Sequence, residues 1–370
     1  MGSDRTGPVG THADAARPRL TPPIADTRRA VREAIADLHV LAEAGGEPSP
    51  GDASEDAGSP RATVPGPAAP LLLVALSGGP DSLALAAALA FEAPRAGLRA
   101  GAVIVDHGLQ HGSARVAADA ADAAARLGLD PVVVHRVEVG GPGGPEAAAR
   151  EARYAALEAV ADELDAAAVL LGHTLDDQAE TVLLGLARGS GAGSLRGMAP
   201  VRGRWRRPLL GLRRAETVAA CRHLGLAPWH DPHNDDPAYT RVRVRQAVLP
   251  LLELELGPGV AEALARTAEQ LREDDDALDR MVEEVADDLA EHVEAGIALP
   301  VAALEANPPA IRHRLIRLAA LAEFGVSLSR AQTLEVARLV VDWHGQGPLH
   351  LPGMRVERAD GRIRFTAPPA

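Results

Sequence analysis

The chain of 370 residues is long enough for about two to three domains, and its 46% apolar and 24% charged residues can bury a sizeable core beside the irregular stretches implied by 36 glycines and 29 prolines. A formal net charge of −13 excludes a uniformly basic nucleic-acid binder. Every one of the 38 basic residues is arginine, so Walker phosphate loops, pyridoxal Schiff-base enzymes and protein kinases, which all need a lysine, drop out.

Residues 1–23 and 45–70 are rich in Pro, Gly, Ser, Ala and Asp, as in EPSPGDASEDAGSPRATVPGPAAP, and read as disordered or linker sequence. Between them TRRAVREAIADLHVLAEA sets Val31, Ile35, Leu38 and Leu41 at helical spacing and predicts one short amphipathic helix. From Leu71 onward, short apolar runs alternate with Ala-rich helical patterns. Strands are predicted at 71–76, 101–106, 131–139 and 167–173, and helices at 81–92, 114–127, 146–164 and 176–188. Continuous apolar strands of this kind belong to an α/β fold, a parallel sheet with helices on both faces. Its ligands bind beyond the carboxyl ends of the strands. Residues 216–295 read as mostly helical, and 300–370 as a small α+β tail. The expected layout is therefore an extension with one helix over 1–70, an α/β domain over 71–215, and a helical region with a small α+β tail over 216–370.

Charge is unevenly spread. Twelve acidic residues against two arginines fall between Glu269 and Glu294, whereas six arginines and no acids lie between Arg202 and Arg214. Three more arginines crowd Arg241 to Arg245, and Arg312, Arg314 and Arg317 share another predicted helix. Basic stretches on an acidic chain fit RNA binding, and equally fit solvated helix faces.

The first strand runs into Ser77-Gly78-Gly79-Pro80-Asp81-Ser82 and then a helix. Glycines allow close backbone approach, and the N–H groups of such a turn and helix start point at a bound anion. Ser77 and Ser82 add hydroxyl donors. Asp81 repels a bare phosphate, which makes sense if Mg²⁺ mediates. The string resembles the SGGxDS signature of the PP-loop ATP pyrophosphatases, which implies ATP cleaved between its α and β phosphates and a substrate oxygen adenylated.

The fourth strand ends in Gly172-His173-Thr174-Leu175-Asp176-Asp177-Gln178-Ala179-Glu180-Thr181, followed by Arg188-Gly189-Ser190-Gly191. On a helix Asp176 and Glu180 are i,i+4 neighbours and Asp177 is i,i+3 to Glu180, so three carboxylates converge near one N-terminus. That suits an amine or a magnesium ion, although an acidic first turn also simply complements the helix dipole. His173 is placed to bind phosphate or move a proton. This string resembles the HxxDDxxET and RGxG elements of the tRNA(Ile)-lysidine synthetase family. Val105 to Leu109, Glu146 to Tyr154, Arg207 to Leu210 and Trp229 to Pro250 resemble further elements of the same family. His233 stands where the family usually has serine, and Val242 where asparagine is expected. The resemblance covers roughly 71–255.

What it implies is a ligase that adenylates the C2 oxygen of the wobble cytidine in a tRNA(Ile) with a CAU anticodon and joins free L-lysine in place of AMP. The implied site has Ser77, Gly78, Gly79, Pro80, Asp81 and Ser82 on ATP, assisted by Mg²⁺. Asp81, His173 and Asp177 are catalytic, and Asp177 handles the amine. Arg153, Asp176, Glu180 and Arg188 bind substrate. Arg202, Arg204, Arg206, Arg207, Arg241 and Arg245 hold tRNA phosphates.

Cys221 is the sole cysteine, which removes internal disulfides, zinc ribbons and iron–sulfur frameworks, and argues against a PP-loop tRNA thiolase working through paired cysteines. An ATP-binding sensor module is the rival from another class, and no glutaminase nucleophile marks an amidotransferase-linked half. Cys221 reads as a small packed residue, GSGAGS does not have dinucleotide-binding spacing, and Trp205 is the best aromatic candidate for a base contact. No apolar run reaches the roughly 18 residues of a membrane span and no leader pattern opens the chain, so a cytoplasmic protein is expected.

Overall fold

The structure, a computed structural model, describes residues 20–38, 65–108, 112–138, 145–189, 191–289, 291–293 and 296–368. Of the stretches 1–23 and 45–70 expected to be disordered or linker, 1–19 and 45–64 lie outside these residues, as do Leu41, Leu109 and Ser190, while Pro22 and Pro23 begin a helix. The chain divides into two compact units, one of Met1–Ser190 with Gly197–Arg266 and one of Gly191–Arg196 with Thr267–Ala370.

The first unit is built on strands β1 (Leu71–Ala75), β2 (Arg99–Asp106), β3 (Val132–Arg136), β4 (Ala166–Leu170), β5 (Val201–Arg202) and β6 (Trp205–Arg206), in the order β3-β2-β1-β4-β6-β5. β1 to β4 and β6 run parallel, and only the two-residue edge strand β5 pairs antiparallel. The sheet is thus mixed at one edge, where a short hairpin closes it.

Both faces are covered, which explains the unbroken apolar runs. Successive side chains of a strand point to opposite faces. Leu72 and Val74 of β1, with Ala102 and Ile104 of β2, pack under α1 (Pro22–Ala34), α2 (Pro80–Glu92), α3 (Ser113–Arg126) and α7 (Arg214–His223). Leu71 and Leu73, with Val103 and Val169, pack instead against Leu157, Val160 and Ala161 of α4 (Pro145–Glu163).

Helix α1, read from the sequence as part of an extension, is a layer of this core. Val31, Ile35 and Leu38 are buried in it. Arg32 grips Glu92 of α2 through two hydrogen bonds of 2.9 Å, and Asp37 takes two of 2.7 Å from Arg206 of β6. The boundary expected after residue 215 falls instead after Arg266, because the intervening segment packs on the sheet's helices. α7 lies along α1 and α2, and Val244, Leu249 and Ala261 close over Leu175 and Ala179.

The second unit has a five-stranded antiparallel sheet, β7 (Glu291–Val293), β8 (Gly296–Pro300), β9 (Leu349–Leu351), β10 (Met354–Ala359) and β11 (Arg362–Thr366), in the order β7-β8-β11-β10-β9. Its core joins α11 (Val301–Ala306), α12 (Pro309–Phe324) and α13 (Arg330–Val341) to Val282 on the long helix α10 (Val260–Leu289). Here the acidic stretch has a structural use. Arg314 of α12 bonds Asp275 and Asp279, and Arg196 reaches Asp275 at 2.9 Å. Arg312 is buried and spends its donors on the carbonyls of Leu304 and Asn307.

Candidate active site at the strand ends

The sheet order makes β1 a neighbour of both β2 and β4, with connections leaving in opposite directions. The crevice beyond such a switch point is where open α/β sheets bind ligands. Two loops meet there, Leu76 to Ser82 after β1 and Leu171 to Leu175 after β4.

Gly78 opens the first loop at φ +83°, a left-handed conformation that any side chain resists, with the Cβ atoms of Ala120 and Trp229 about to be touched. Its carbonyl accepts from the Trp229 N–H at 2.9 Å. The Ser82 hydroxyl donates to Gly79 O at 3.0 Å and accepts from Ser77 N–H at 3.2 Å, and the Ser77 hydroxyl is 3.1 Å away. α2 then starts at Pro80, so its first N–H groups face the crevice. Gly172 meets this turn backbone to backbone: a Cβ there would lie 3.1 Å from Ser82 N. The two loops are therefore locked at van der Waals distance.

In the second loop Thr174 caps helix α5 (Leu175–Ala187). Asp177 Oδ2 accepts from Thr174 N–H at 2.8 Å and from its hydroxyl at 3.0 Å. The predicted convergence of carboxylates holds, but each acid is met by an arginine. Asp177 Oδ1 accepts from Arg214 at 2.8 Å, and Asp176 from the Arg214 N–H at 2.7 Å. Arg213 lies 3.2 Å from Asp176. Glu180, fully buried, is held by Arg245 at 2.7 and 3.1 Å and lies 3.4 Å from Arg241. Asp81 accepts from the Thr217 hydroxyl and from Arg214 at 3.3 Å.

Protonation follows from these contacts. Burial raises the Asp81 pKa despite Thr217 and Arg214. Burial pushes Asp177 the same way, but Arg214, the Thr174 N–H and Arg245 outweigh it and hold this carboxyl below its usual range. The His173 pKa is driven well down, first by burial and then by Arg153, so its imidazole is neutral at pH 7. Burial and Asp81 push the Cys221 thiol up to about 12, and its Sγ donates to Pro80 O at 3.3 Å, which fits a packed residue rather than a nucleophile.

Beside the carboxylates lies a cavity of about 190 Å³, lined by Asp176, Glu180, Arg213, Arg245, Leu249, Pro250, Glu253 and Ala261. It offers acids, bases and an apolar wall in one small volume.

Several expected roles change. Arg188 sits exposed at the far end of α5, roughly 18 Å from Asp176 at 1.5 Å per residue, and does not join the cluster. Of the six arginines expected on tRNA phosphates, Arg241 and Arg245 are consumed by Glu180. Arg206 is buried on Asp37, and Arg204 lies 2.7 Å from Asp162. Arg207 is buried and donates to Ala199 O at 2.8 Å. Arg202 alone of the six is exposed. Trp205, the expected base contact, packs edge-on against Tyr154 with ring centroids 5.2 Å apart.

The sequence reading missed Arg213, Arg214 and Thr217 of α7, which complete the site from some forty residues downstream of α5's start. Their only signal was membership of an arginine-rich stretch. Magnesium does not fit as an ion held by the protein alone: among the described residues no cluster of three or more His, Cys, Asp or Glu is placed to hold a metal, and Asp81 is already bonded.

Comparison with known proteins decides the family. Residues 61–252 match the profile of a PP-loop domain, and 299–364 that of a TilS substrate binding domain. A tRNA(Ile)-lysidine synthase of Leifsonia xyli is 64% identical over 88% of this chain and 98% of that protein. The chain belongs to the tRNA(Ile)-lysidine synthase family. Another such synthase, from Thermobifida fusca, is 52% identical over 94% of this chain and 98% of its own length. A solved U34-tRNA thiolase from Methanococcus maripaludis superposes with a TM-score of 0.51 at 18% identity, covering 68% of this chain and 80% of that one, which shows a shared fold. The strand-end loops of this synthase-family chain lie inside the PP-loop match, as an ATP-using ligase requires. No helix among the described residues is long and apolar enough to cross a membrane.

Proposed function

We propose that this chain makes lysidine in two steps on one crevice. The C2 carbonyl oxygen of the wobble cytidine, in a tRNA(Ile) with a CAU anticodon, attacks the α-phosphorus of ATP, and the α–β bond breaks to release pyrophosphate. The ε-amine of free lysine, its ammonium proton passed to solvent, then attacks C2, and the C2–O bond breaks to release AMP. Activation is required because a carbonyl oxygen is a poor leaving group and a phosphate monoester a good one.

The observation that carries this reading is the backbone contact of Gly172 on Ser82, which fixes an anion-binding turn beside a charged amine-sized cavity in a chain of this family. Gly78, Gly79 and Ser82 bind the ATP phosphates through backbone N–H groups and Ser77 through its hydroxyl, while Pro80, which has no N–H, sets the start of the helix. Mg²⁺ would enter with the nucleotide and neutralise phosphate charge, and Asp81 is the carboxylate of the turn that would face it. Neutral His173 and Arg153 face the α-phosphate.

Lysine occupies the cavity by Asp176. The carboxylates of Asp176, Glu180 and Glu253 serve its ammonium groups, Arg213 and Arg245 its carboxylate, and Leu249, Pro250 and Ala261 its methylene chain. Asp177, held ionised, steers the amine electrostatically rather than acting as a strong base. Of the six arginines expected on tRNA phosphates, Arg202 is the exposed one that meets the RNA.

A thiolase reading has only the fold in its favour. Cys221 is buried and bonded, so it cannot carry sulfur.

The test is incubation with ATP, Mg²⁺, radiolabelled lysine and an unmodified CAU transcript, counting acid-precipitable label and AMP. Label is expected to depend on ATP and on the wobble cytidine. AMP without label overturns the nucleophile, and neither product from folded protein favours the sensor reading. Asp177→Asn keeps an acceptor for the Thr174 cap, which Asp177→Ala does not. It should lower lysine transfer about 10²-fold, as loss of a preorganised electrostatic contact does, and a variant keeping above about a tenth of activity rules out the role given to Asp177.

A further inference from the structure

His107 follows β2 directly. Because β2 and β4 flank β1, the order of strand ends across the sheet is His107, the Ser77–Ser82 loop, His173. A local lock fixes His107: Asp106, buried at the end of β2, accepts from Gly108 N–H at 3.0 Å and from the Ser113 hydroxyl. α4 packs on both β2 and β4 and brings Arg150, Arg153 and Tyr154 to this bank. Arg150 and Arg153 lie 5.1 and 5.6 Å from the Tyr154 ring, and the Tyr154 hydroxyl faces Arg207. Arg153 bears electrostatically on both His107 and His173.

Two observations set this bank apart. Among the described residues, His107 and His173 are the histidines that bury a ring nitrogen, Nδ1 in each, with no hydrogen-bond partner. Arg150, Arg153 and Arg207 make no ion pair with a described carboxylate, whereas Arg213, Arg214, Arg241 and Arg245 all do. Buried ring nitrogens without partners beside cations without counter-ions are costly, and a tetrahedral anion relieves both when each Nδ1 is the nitrogen that carries the imidazole proton.

We infer that His107, with His173, Arg153 and Arg207, forms a second phosphate subsite beside the Ser77–Ser82 turn, in which His107 donates a hydrogen bond from Nδ1 to a phosphate oxygen. This deepens the reading above and rests on it for the identity of the nucleotide. The ligand chemistry is a phosphate group with two sources, the α-phosphate of ATP or a backbone phosphodiester of the bound tRNA. The position of the subsite against the phosphate turn favours ATP.

The test measures binding without turnover on the full chain, by calorimetric titration with ATP alone and by filter binding of the transcript without nucleotide. His107→Ala is expected to weaken ATP binding about tenfold or more, as loss of a hydrogen bond to a charged group does. His107→Asn, whose amide stands where Nδ1 stood, should recover most of it, and His107→Gln should not. If tRNA affinity alone falls, the phosphate is the RNA's. If folded His107→Ala moves neither affinity, the subsite is overturned. Should that variant lose its melting transition, equal ATP affinity of the Asn and Gln variants overturns it instead. A wild-type chain that binds ATP but transfers no lysine counts against the proposed reaction and leaves the subsite standing.

Discussion

The two banks of the Ser77–Ser82 loop use the same side-chain chemistry to opposite ends. On the bank formed by α5 and α7, Asp81, Asp176, Asp177 and Glu180 are each met by an arginine, so charge is settled within the fold. On the α4 bank, Arg150, Arg153 and Arg207 stand near two neutral histidines with no described carboxylate in ion-pair range. The first bank is a preorganised frame, suited to a small zwitterion that exchanges partners with it. The second holds positive potential in reserve, which suits a polyanion. Arginine content alone does not tell these uses apart, because a guanidinium already bonded to an acid meets a ligand only by exchanging that partner.

The sharpest way to break this contrast is a matched pair of substitutions. Arg214→Met strips partners from Asp81 and Asp177, and removing one side of a buried pair typically costs 3–5 kcal/mol. A loss of roughly 3 kcal/mol is expected in urea unfolding. Arg153→Met removes a cation whose pKa is already lowered, first by burial, so stability should hold or rise while ATP binding weakens. Equal destabilisation by the two would erase the distinction.

Acid titration probes the same contrast more gently. His107 and His173 are held neutral by burial and by Arg153, so the unfolded chain takes up protons that the folded one refuses. Stability is full above about pH 6.5 and falls as pH drops from there toward the depressed values. Asp177 acts lower, its contribution being complete above about pH 4 and lost as pH falls through its lowered pKa. Urea midpoints at stepped pH should therefore begin to drop near 6.5, and the His107→Asn/His173→Asn double variant should lose most of that first limb, keeping the part that His313 contributes. A wild-type decline that starts only below about pH 4 contradicts the neutral assignment.

The smallest effect concerns RNA. Arg202→Gln should reduce the salt slope of tRNA binding by about one, while Arg206→Gln should leave the slope unchanged and lower stability. The reverse pattern would mean that the Arg206–Asp37 pair opens to serve the RNA.

Much of the strand-end chemistry is local and so legible in sequence. The apolar runs, the glycine turn after β1 and the acidic turn after β4 lie within short windows, and the strands and helices of 71–188 appear within a few residues of where periodicity puts them. What is not legible is pairing across the fold. Whether Arg245 meets a phosphate or Glu180 depends on how a π turn at Val244–Val248 packs on α5, a contact spanning 65 residues. Thr217 and Arg214 likewise reach Asp81 only because α7 lies along α2. Arg188 shows the converse error: close in sequence, it is carried away by the rise of its own helix.

Helix α1 has a further consequence. Ile24 and Thr27 sit over Ala84, Ala88 and Ala220, and Val31, Ile35 and Leu38 run on into the core, so this helix fills a trough between α2 and α7. A chain cut to begin at β1 would retain both loops of the crevice yet bare an apolar furrow, a surface prone to self-association. Removing this helix is therefore expected to promote association and weaken the domain even though both loops of the crevice remain.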